Sequence, residues 1–269
     1  MMKEAAKMRL FDTHCHLQDY RLLDRIGEVM ERAEGAGVMR LLCCGTAEQD
    51  WAQVLEVARR FPQVTPALGL HPLYAERRSP QWFETLSGML KDSGAVVGEI
   101  GLDHAAEPRN DQDQEEVFLR QLELARELNR PVSMHCRQAW GRMPELLLAG
   151  GIPRAGAVIH SYSGGPDLVE ALTAAGVHLS FSGSITRTNN RRGAAAAPRV
   201  PWDRLLVETD APDIMPMIGE KWPEKGAVNE PANLELVVGK IAVLRGATPE
   251  ETADRTWRNA CRLVGKASP

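Results

Sequence analysis

The sequence lacks several features that would place it in a specialised class. It has no run approaching the roughly 18 consecutive apolar residues that a membrane-spanning helix needs, and Met1–Leu10 carries charges without the apolar centre of a signal peptide. The sequence also lacks a large excess of charge of either sign, because 32 Lys and Arg residues nearly balance 36 Asp and Glu residues, which gives a formal net charge of −4. There is no basic excess of the kind typical of non-specific nucleic-acid binders, although a local patch or bound cations can still attract a nucleic acid.

Cysteine is too sparse and too irregularly spaced to form a disulfide framework. The five residues are Cys15, Cys43, Cys44, Cys136 and Cys261. An odd number without framework spacing indicates reduced thiols in a reducing compartment, so we expect a cytoplasmic protein. We expect no membrane association, and no obligate protein partner is evident.

What the sequence does contain is an alternation of short apolar runs with longer helical patterns. At 269 residues, 43% hydrophobic and 25% charged, the chain can bury a sizeable α/β core. Helical spacing of apolar residues is clearest over Gln112–Asn129 and recurs from Leu234. The eight apolar runs are Arg9–Cys15, Arg40–Gly45, Val64–Leu70, Ala95–Ile100, Pro131–His135, Ala157–His160, Val177–Phe181 and Leu205–Glu208.

Eight strand–helix units in about 250 residues predict an α/β fold of the (β/α)8 TIM barrel type. An open doubly wound sheet is the alternative, but it uses fewer strands and usually carries a Gly-rich phosphate loop after the first one. Here the first run ends instead in Asp12-Thr13-His14-Cys15-His16. Because no linker or low-complexity break interrupts the pattern, we expect a single barrel domain over residues 1–269.

Histidine is rare, yet its positions are regular. Five of the seven residues fall at the ends of predicted strands, namely His14, His16, His71, His135 and His160. In a barrel, this is the end where active sites form. Since side chains alternate along a strand, His14 and His16 point the same way, about 7 Å apart, and can bind one metal ion.

Two carboxylates join these imidazoles. Glu99 lies in the otherwise apolar run Ala95–Ile100, where an isolated buried charge is very unfavourable unless it is paired or metal-bound. Asp210 follows the eighth run. Four histidines and two carboxylates exceed the needs of one ion, so the set predicts two divalent ions with a water or hydroxide between them. The ligand types are compatible with Zn, Mn, Mg, Ni or Co.

Several motifs resemble the TatD family of metal-dependent hydrolases. They occur in order from residue 12 to residue 263: Asp12-Thr13-His14-Cys15-His16-Leu17, Ala67-Leu68-Gly69-Leu70-His71-Pro72, Gly98-Glu99-Ile100-Gly101-Leu102-Asp103, Pro131-Val132-Ser133-Met134-His135-Cys136-Arg137, His160-Ser161-Tyr162-Ser163-Gly164, Leu206-Val207-Glu208-Thr209-Asp210-Ala211-Pro212, Asn229-Glu230-Pro231-Ala232-Asn233-Leu234 and Asn259-Ala260-Cys261-Arg262-Leu263. Any one is moderate evidence, but together they are highly specific.

The resemblance implies an amidohydrolase-like barrel with a dinuclear site. His14, His16 and Asp210 would hold one ion, His135 and His160 the other, and Glu99 would bridge them. Family members are commonly deoxyribonucleases, often removing nucleotides from a 3′ end. This chain departs from the family pattern after Asp103, after His160 and in the loop before residue 229, and none of these departures touches a ligand.

We therefore expect metal-assisted cleavage of phosphodiester bonds in DNA or another phosphodiester, with 3′–5′ exonuclease-like action. Asp210 would act as general base and Glu99 would be the second catalytic carboxylate. The residues expected to contact substrate are His71, Asp103, Arg137 and Tyr162, although Asp103 could equally orient a ligand histidine or cap the next helix. Trp222 is a further candidate for stacking on bases, whereas Trp140 is expected to pack against other side chains.

Two other functions fit the same ligand set. The first is hydrolysis of small esters, lactones or amides. The second is a metal-bound scaffold that binds without turnover, and the intact set of six ligands argues against it. Assays with single-stranded DNA, a phosphodiester reporter and lactones would discriminate between phosphodiester cleavage and the hydrolysis of small esters, lactones or amides.

Overall fold

A single eight-stranded sheet forms the centre of the molecule. The computed structural model describes residues 8–265. Each strand pairs in parallel with the next, from the first strand to the eighth. The strands are β1 (Leu10–Cys15), β2 (Val38–Cys44), β3 (Val64–Leu68), β4 (Val96–Asp103), β5 (Val132–Arg137), β6 (Ala157–Ile159), β7 (Val177–Phe181) and β8 (Leu205–Val207). Every predicted run overlaps one of them, and the (β/α)8 prediction is confirmed.

Helices follow the strands and cover the outside of the sheet. They are α1 (Tyr20–Leu23), α2 (Ile26–Gly35), α3 (Glu48–Arg60), α4 (Trp82–Ser93), α5 (Asp111–Glu127), α6 (Arg142–Gly150), α7 (Val169–Ala174), α8 (Arg191–Ala196), α9 (Leu234–Arg245) and α10 (Pro249–Val264). Short 3₁₀ turns occupy Pro72–Arg77, Gly183–Thr186, Ala197–Arg199, Trp202–Arg204 and Pro231–Asn233. Apolar spacing had indicated α5 and α9 but not α10, because α10 buries Thr252, Thr256 and Asn259 alongside its apolar residues.

The ends of the strands differ from the predicted ends by a few residues, and pairing explains the differences. β4 continues to Asp103 because Leu102 and Asp103 pair with the last two residues of β5. His160 and Glu208 lie one residue beyond β6 and β8, which are only three residues long. These two polar side chains therefore belong to the loops at the carboxyl end of the sheet.

Hydrogen bonds between the first and last strands close the barrel. The Asp210 N–H donates to the His14 carbonyl at 2.9 Å, and the His16 N–H donates to the Ala211 carbonyl at 2.7 Å. The Thr13 hydroxyl donates to the Val207 carbonyl at 2.9 Å. A ligand candidate from each end of the sequence is thereby fixed beside the other.

Apolar side chains fill the barrel interior. Phe11, Leu42, Ala67, Val96, Val158 and Leu206 come from six different strands and form one buried cluster. Ala260 and Leu263 of α10 belong to the same cluster. The interior is thus packed, and α10 contributes to it.

Among residues 8–265, no helix has both the length and the apolar character needed to cross a membrane. The predicted single domain extends over residues 1–269, of which 1–7 and 266–269 lie outside the described residues, together with most of the Met1–Leu10 segment. The single-domain assignment stays a prediction.

Gly101 allows β4 to lie very close to β5 at the position of His135, one of the predicted ligands. Gly101 in β4 has a φ of +148°, and a Cβ atom there would lie 2.0 Å from the carbonyl oxygen of His135 in β5. We expect Gly101→Ala to lower the free energy of unfolding by about 2 kcal/mol or more, because the two strands would have to separate. Chemical denaturation followed by circular dichroism measures this change.

Gly88→Ala provides the control, since Gly88 lies on the exposed side of α4, where the methyl carbon of an alanine would have no atom within 4 Å. An alanine there should stabilise the helix by up to about 1 kcal/mol. Equal unfolding midpoints for Gly101→Ala and the wild type would contradict the tight approach of β4 to β5.

Candidate metal centre

The six predicted ligands converge at the carboxyl end of the barrel. They are His14 in β1, His16 just after it, Glu99 in β4, His135 in β5, His160 after β6 and Asp210 after β8. Their nitrogen and oxygen atoms form three overlapping groups that are each compact enough to hold an ion: His14, Glu99 and His160; His14, His16 and Asp210; and His71, Glu99 and His135. His71, expected as a substrate contact, thus lies among the ligand candidates.

Glu99 is the common member that connects the two sides of the cluster. Its Oε2 atom lies 3.3 Å from His14 Nε2 and 3.6 Å from His16 Nε2. Its Oε1 atom lies 3.0 Å from His135 Nδ1 and 2.9 Å from His160 Nε2. One carboxylate oxygen therefore faces each group of imidazoles, as a bridging ligand requires.

Asp210 completes the first of these groups. Its Oδ1 atom lies 3.5 Å from His16 Nε2 and 3.9 Å from His14 Nε2. The left-handed backbone of Asp210, with a φ of +57°, turns the chain directly after β8. Because its N–H group is bonded to the His14 carbonyl, the carboxylate is fixed next to both imidazoles of β1.

In each ligand imidazole, the ring nitrogen that points away from the cluster (the far nitrogen) meets a partner that can accept a hydrogen bond from it. His16 Nδ1 lies 2.8 Å from the Cys44 carbonyl oxygen, His160 Nδ1 lies 3.3 Å from Glu208 Oε1, and His135 Nε2 lies 3.2 Å from Asp103 Oδ2. His14 Nδ1 lies 3.0 Å from the Ser133 hydroxyl. A proton on each far nitrogen leaves a lone pair on the near nitrogen, which is the form that binds a metal.

The donor set fits divalent cations. His14 Nε2 is fully buried at the centre of the cluster, and although Glu99 Oε2 lies 3.3 Å away, the geometry gives it no hydrogen bond to any described residue. A buried polar atom without a partner is unfavourable, and a cation would satisfy it. The candidate donors lie on two sides of Glu99, with His14, His16 and Asp210 on the side of Oε2 and His135 and His160 on the side of Oε1.

The charges of the cluster also favour cations. Burial alone would raise the pKa of Glu99, but electrostatic attraction to the surrounding imidazoles, those of His71, His160 and His14 first, holds it well below its usual value. For Asp210 the effect of burial is likewise outweighed, chiefly by the hydrogen bond with His16, and its pKa is lowered. Both carboxylates are therefore ionised at neutral pH.

The pKa of His16 changes in the opposite direction. Burial would lower it, but the hydrogen bond with Asp210 and the charges of Glu99 and Asp210 raise it to about 9. His14 differs, because burial and the nearby charge of His160 lower its pKa despite Glu99. A proton and a metal ion would therefore compete for His16 Nε2, which faces the carboxylates of Glu99 and Asp210.

Asp12 in β1 is a further buried carboxylate, and it stabilises the segment that carries Asp210. Asp12 accepts hydrogen bonds from the Thr209 hydroxyl and, at 2.9 Å, from the Thr209 N–H, directly before Asp210. Burial raises the pKa of Asp12 to about 7. Asp12 was not among the predicted site residues, although it shares with Glu99 the available signal, a carboxylate within an apolar strand.

An open cavity of about 410 Å³ leads to the cluster. Of the residues expected to contact substrate, His71, Asp103 and Arg137 line it. Tyr162 does not: it is 1% exposed, donates its hydroxyl to the Gly165 carbonyl at 2.6 Å and packs against the Trp140 ring. Burial therefore removes Tyr162 from the candidate substrate contacts.

Two aromatic residues that the sequence analysis did not identify line the cavity instead. Tyr20 is 76% exposed and Tyr74 is 37% exposed, in a chain with only 5% aromatic residues. Tyr20 follows His16 by four residues and Tyr74 follows His71 by three. Their closeness in sequence to the strand-end histidines was the available signal.

Comparisons with known proteins agree with this site. The family model described as TatD related DNase matches residues 11–265. The chain is 32% identical to the uncharacterized metal-dependent hydrolase YabD of Bacillus subtilis, over 94% of this chain and 98% of the relative. It is 35% identical to the 3′-5′ ssDNA/RNA exonuclease TatD of Pantoea vagans, again over 94% and 98%.

A solved structure extends the similarity to three dimensions. The crystal structure of YjjV, a TatD homolog from Escherichia coli K12, superposes with a TM-score of 0.90 at 30% identity, covering 96% of this chain and 99% of that one. The fold, the ligand cluster at the carboxyl end of the strands and a family match over nearly the whole chain agree: the protein belongs to the TatD family of metal-dependent hydrolases.

Proposed function

We propose that this protein is a two-metal phosphodiesterase that removes nucleotides from the 3′ end of single-stranded DNA or RNA. The observation that carries the proposal is the division of Glu99 between two ligand groups, with Oε2 facing His14 and His16 and Oε1 facing His135 and His160. This arrangement suits two ions a few ångströms apart, a common device for in-line displacement at phosphorus.

The choice of nucleic acid as substrate rests on two further facts. Relatives that are 32–35% identical along almost the whole chain carry the name 3′-5′ ssDNA/RNA exonuclease. In addition, Tyr20 and Tyr74 present exposed rings to the cavity. Aromatic side chains beside a phosphate-binding site are typical of proteins that stack single-stranded bases.

When bound, a pair of divalent cations supplies Lewis acidity that lowers the pKa of a nearby water toward neutrality. Asp210 is ionised, and its Oδ1 atom faces the cluster. In the proposed reaction its carboxylate accepts the proton of the attacking water. The water oxygen bonds to phosphorus as the bond to the 3′ oxygen of the preceding nucleotide breaks. Asp210 then returns the proton to that oxygen.

Other residues orient these groups. Asp103 holds His135 through Nε2 and also accepts the Ala105 N–H at 2.9 Å, which fixes its own carboxylate. Arg137 forms a long ion pair with Asp103 Oδ2 at 3.9 Å, and its side chain is 61% exposed, so its guanidinium can also reach a phosphate at the cavity rim.

The cavity wall is acidic without metal. Its lining includes two arginines, Arg21 and Arg137, and six carboxylates: Asp19, Asp50, Glu99, Asp103, Asp210 and Asp213. With the lining histidines neutral, as metal ligands are, two dications would neutralise this excess of four negative charges. Binding of a polyanion should therefore depend on metal.

The compartment and the partners of the protein stay predictions from the sequence. The five cysteines are free, and four of them are buried. Free thiols support the proposal of a reducing, cytoplasmic environment. Single-domain organisation and the lack of an obligate protein partner also stay predictions.

The first test combines metal removal with a DNA assay. Chelator-treated protein should neither bind nor shorten a 5′-labelled single-stranded DNA, and Mg²⁺, Mn²⁺ or Zn²⁺ should restore stepwise shortening from the 3′ end. An oligonucleotide with a blocked 3′ end serves as the control. Two bound ions with no action on DNA or RNA but turnover of esters or lactones would replace the proposal by small-molecule hydrolysis.

The second test removes charge from the two catalytic carboxylates. Glu99→Gln and Asp210→Asn should each lower kcat by about 1,000-fold, equivalent to about 4 kcal/mol in the activation barrier. The barrel should still fold, as judged by circular dichroism. Glu56→Gln, the same change on the exposed face of α3, is the matched control, and undiminished hydrolysis by either site variant would refute these roles.

The third test concerns the exposed tyrosines. Tyr20→Ala and Tyr74→Ala should each raise KM for an oligonucleotide by about 10-fold, since stacking on one base contributes about 1–3 kcal/mol. Turnover of a small phosphodiester reporter, which has no base to stack, should be unchanged. Trp222→Ala offers an aromatic control, because Trp222 is 51% exposed but does not line the cavity. If the tyrosine variants turned over the reporter as poorly as the oligonucleotide, that result would argue against stacking.

A further inference from the structure

His71 meets the metal cluster from the side of the second ligand group. Its Nε2 atom lies 3.3 Å from Glu99 Oε1, and its ring centroid lies 4.4 Å from that of His135. By distance alone, His71, Glu99 and His135 could surround one ion. Proximity would therefore make His71 a third imidazole ligand of the second ion.

The backbone around His71 fixes both the position and the orientation of its ring. His71 begins the turn Pro72–Arg77, and its Nδ1 atom accepts the Leu73 N–H at 3.1 Å. Its own N–H donates to the Thr46 carbonyl at 2.8 Å, and its carbonyl accepts the Tyr74 N–H at 2.9 Å. The ring thus serves as the cap of a turn that is anchored on both sides.

This cap determines which ring nitrogen carries the proton. A backbone N–H can only donate, so the Nδ1 atom of His71 must present its lone pair to Leu73. The proton then resides on Nε2, the nitrogen that faces Glu99. An Nε2–H group has no lone pair in the ring plane, and it is a donor and not a ligand.

The contrast with its neighbours is chemical. For His16, His135 and His160, the far nitrogen meets a backbone carbonyl oxygen or an ionised carboxylate oxygen. Neither group has a proton to donate, so each can only accept a hydrogen bond. Those three rings can therefore each offer a lone pair to a metal ion once the near nitrogen has lost its proton. Only for His71, among the imidazoles around Glu99, does the far nitrogen meet an N–H group within the part of the chain that the structure describes.

We infer that His71 is a positioning residue that donates its Nε2–H to Glu99 Oε1 and does not bind metal. The inference rests on the proposed two-ion function, because it assigns Glu99 as the bridge. A donor on Oε1 fixes the rotation of the carboxylate, so that Oε1 stays on the side of His135 and His160 and Oε2 on the side of His14 and His16. The donor also adds no positive charge between the two ions.

The first measurement reads the proton directly. Protein carrying ¹⁵N-labelled histidine and loaded with Zn²⁺ is examined by long-range ¹H–¹⁵N NMR, and the His71 ring is assigned from its loss in His71→Asn. We expect a protonated Nε2 and an unprotonated Nδ1 in the zinc-loaded protein. An Nε2 without a proton would overturn the inference.

The second measurement compares metal binding by two histidine variants, using calorimetry and metal analysis. His71→Asn keeps a short side-chain oxygen able to cap the turn at Leu73 but cannot reach Glu99. It should still bind two ions per chain, with affinity or turnover about 10- to 100-fold lower. His135→Asn, which removes a ligand, should bind one ion fewer.

His71→Gln separates lost donation from lost structure. Its amide reaches further and can donate toward Glu99, so it should recover part of the affinity or turnover lost in His71→Asn. Loss of one ion in both His71 variants, or no change in affinity or turnover in either, would overturn the inference. Metal binding and the NMR spectrum involve no substrate, so inactivity on DNA would overturn the proposed function alone.

Discussion

The site depends on the burial of one charged carboxylate among imidazoles. An ionised carboxylate removed from water is strongly disfavoured unless positive or proton-donating groups surround it. Glu99 is 2% exposed and lies in the middle of β4, yet five imidazoles lie within reach of its two oxygens. Each strand that brings a histidine to this point compensates part of that burial, and cations would compensate the rest.

Closure of the barrel brings the two ends of the sequence into one ligand group. Asp210 reaches His14 and His16 only because β8 lies beside β1, where backbone bonds run from Asp210 to His14 and from His16 to Ala211. Asp12 strengthens the same seam by accepting two hydrogen bonds from Thr209. A change in the register of β1 against β8 would therefore separate Asp210 from His14 and His16 while leaving the candidate ligands on β5 and after β6 in place.

The sequence predicted the barrel and the convergence of its ligands because both follow from short-range rules. Alternation along a strand places His14 and His16 on one face, and parallel strands end at the same edge. What the sequence could not supply were properties of loops. Tyr162 follows His160 by two residues, but packing against Trp140 and Phe181 buries its ring. Tyr20 and Tyr74 remain exposed because each lies in a short helix or turn that crosses the cavity wall.

Proximity to a metal cluster does not decide what a histidine does there. Five imidazoles surround Glu99 at similar distances, and the partner of the far nitrogen decides whether the near one offers a lone pair or a proton. That partner is a carbonyl of β2 for His16, a carboxylate from β4 for His135 and a carboxylate after β8 for His160. For His71 it is the backbone N–H of a turn, a feature of chain geometry that no side-chain motif records. The distinction between ligand and donor is therefore set by the fold outside the cluster, and residues of one type can supply both functions within a single site.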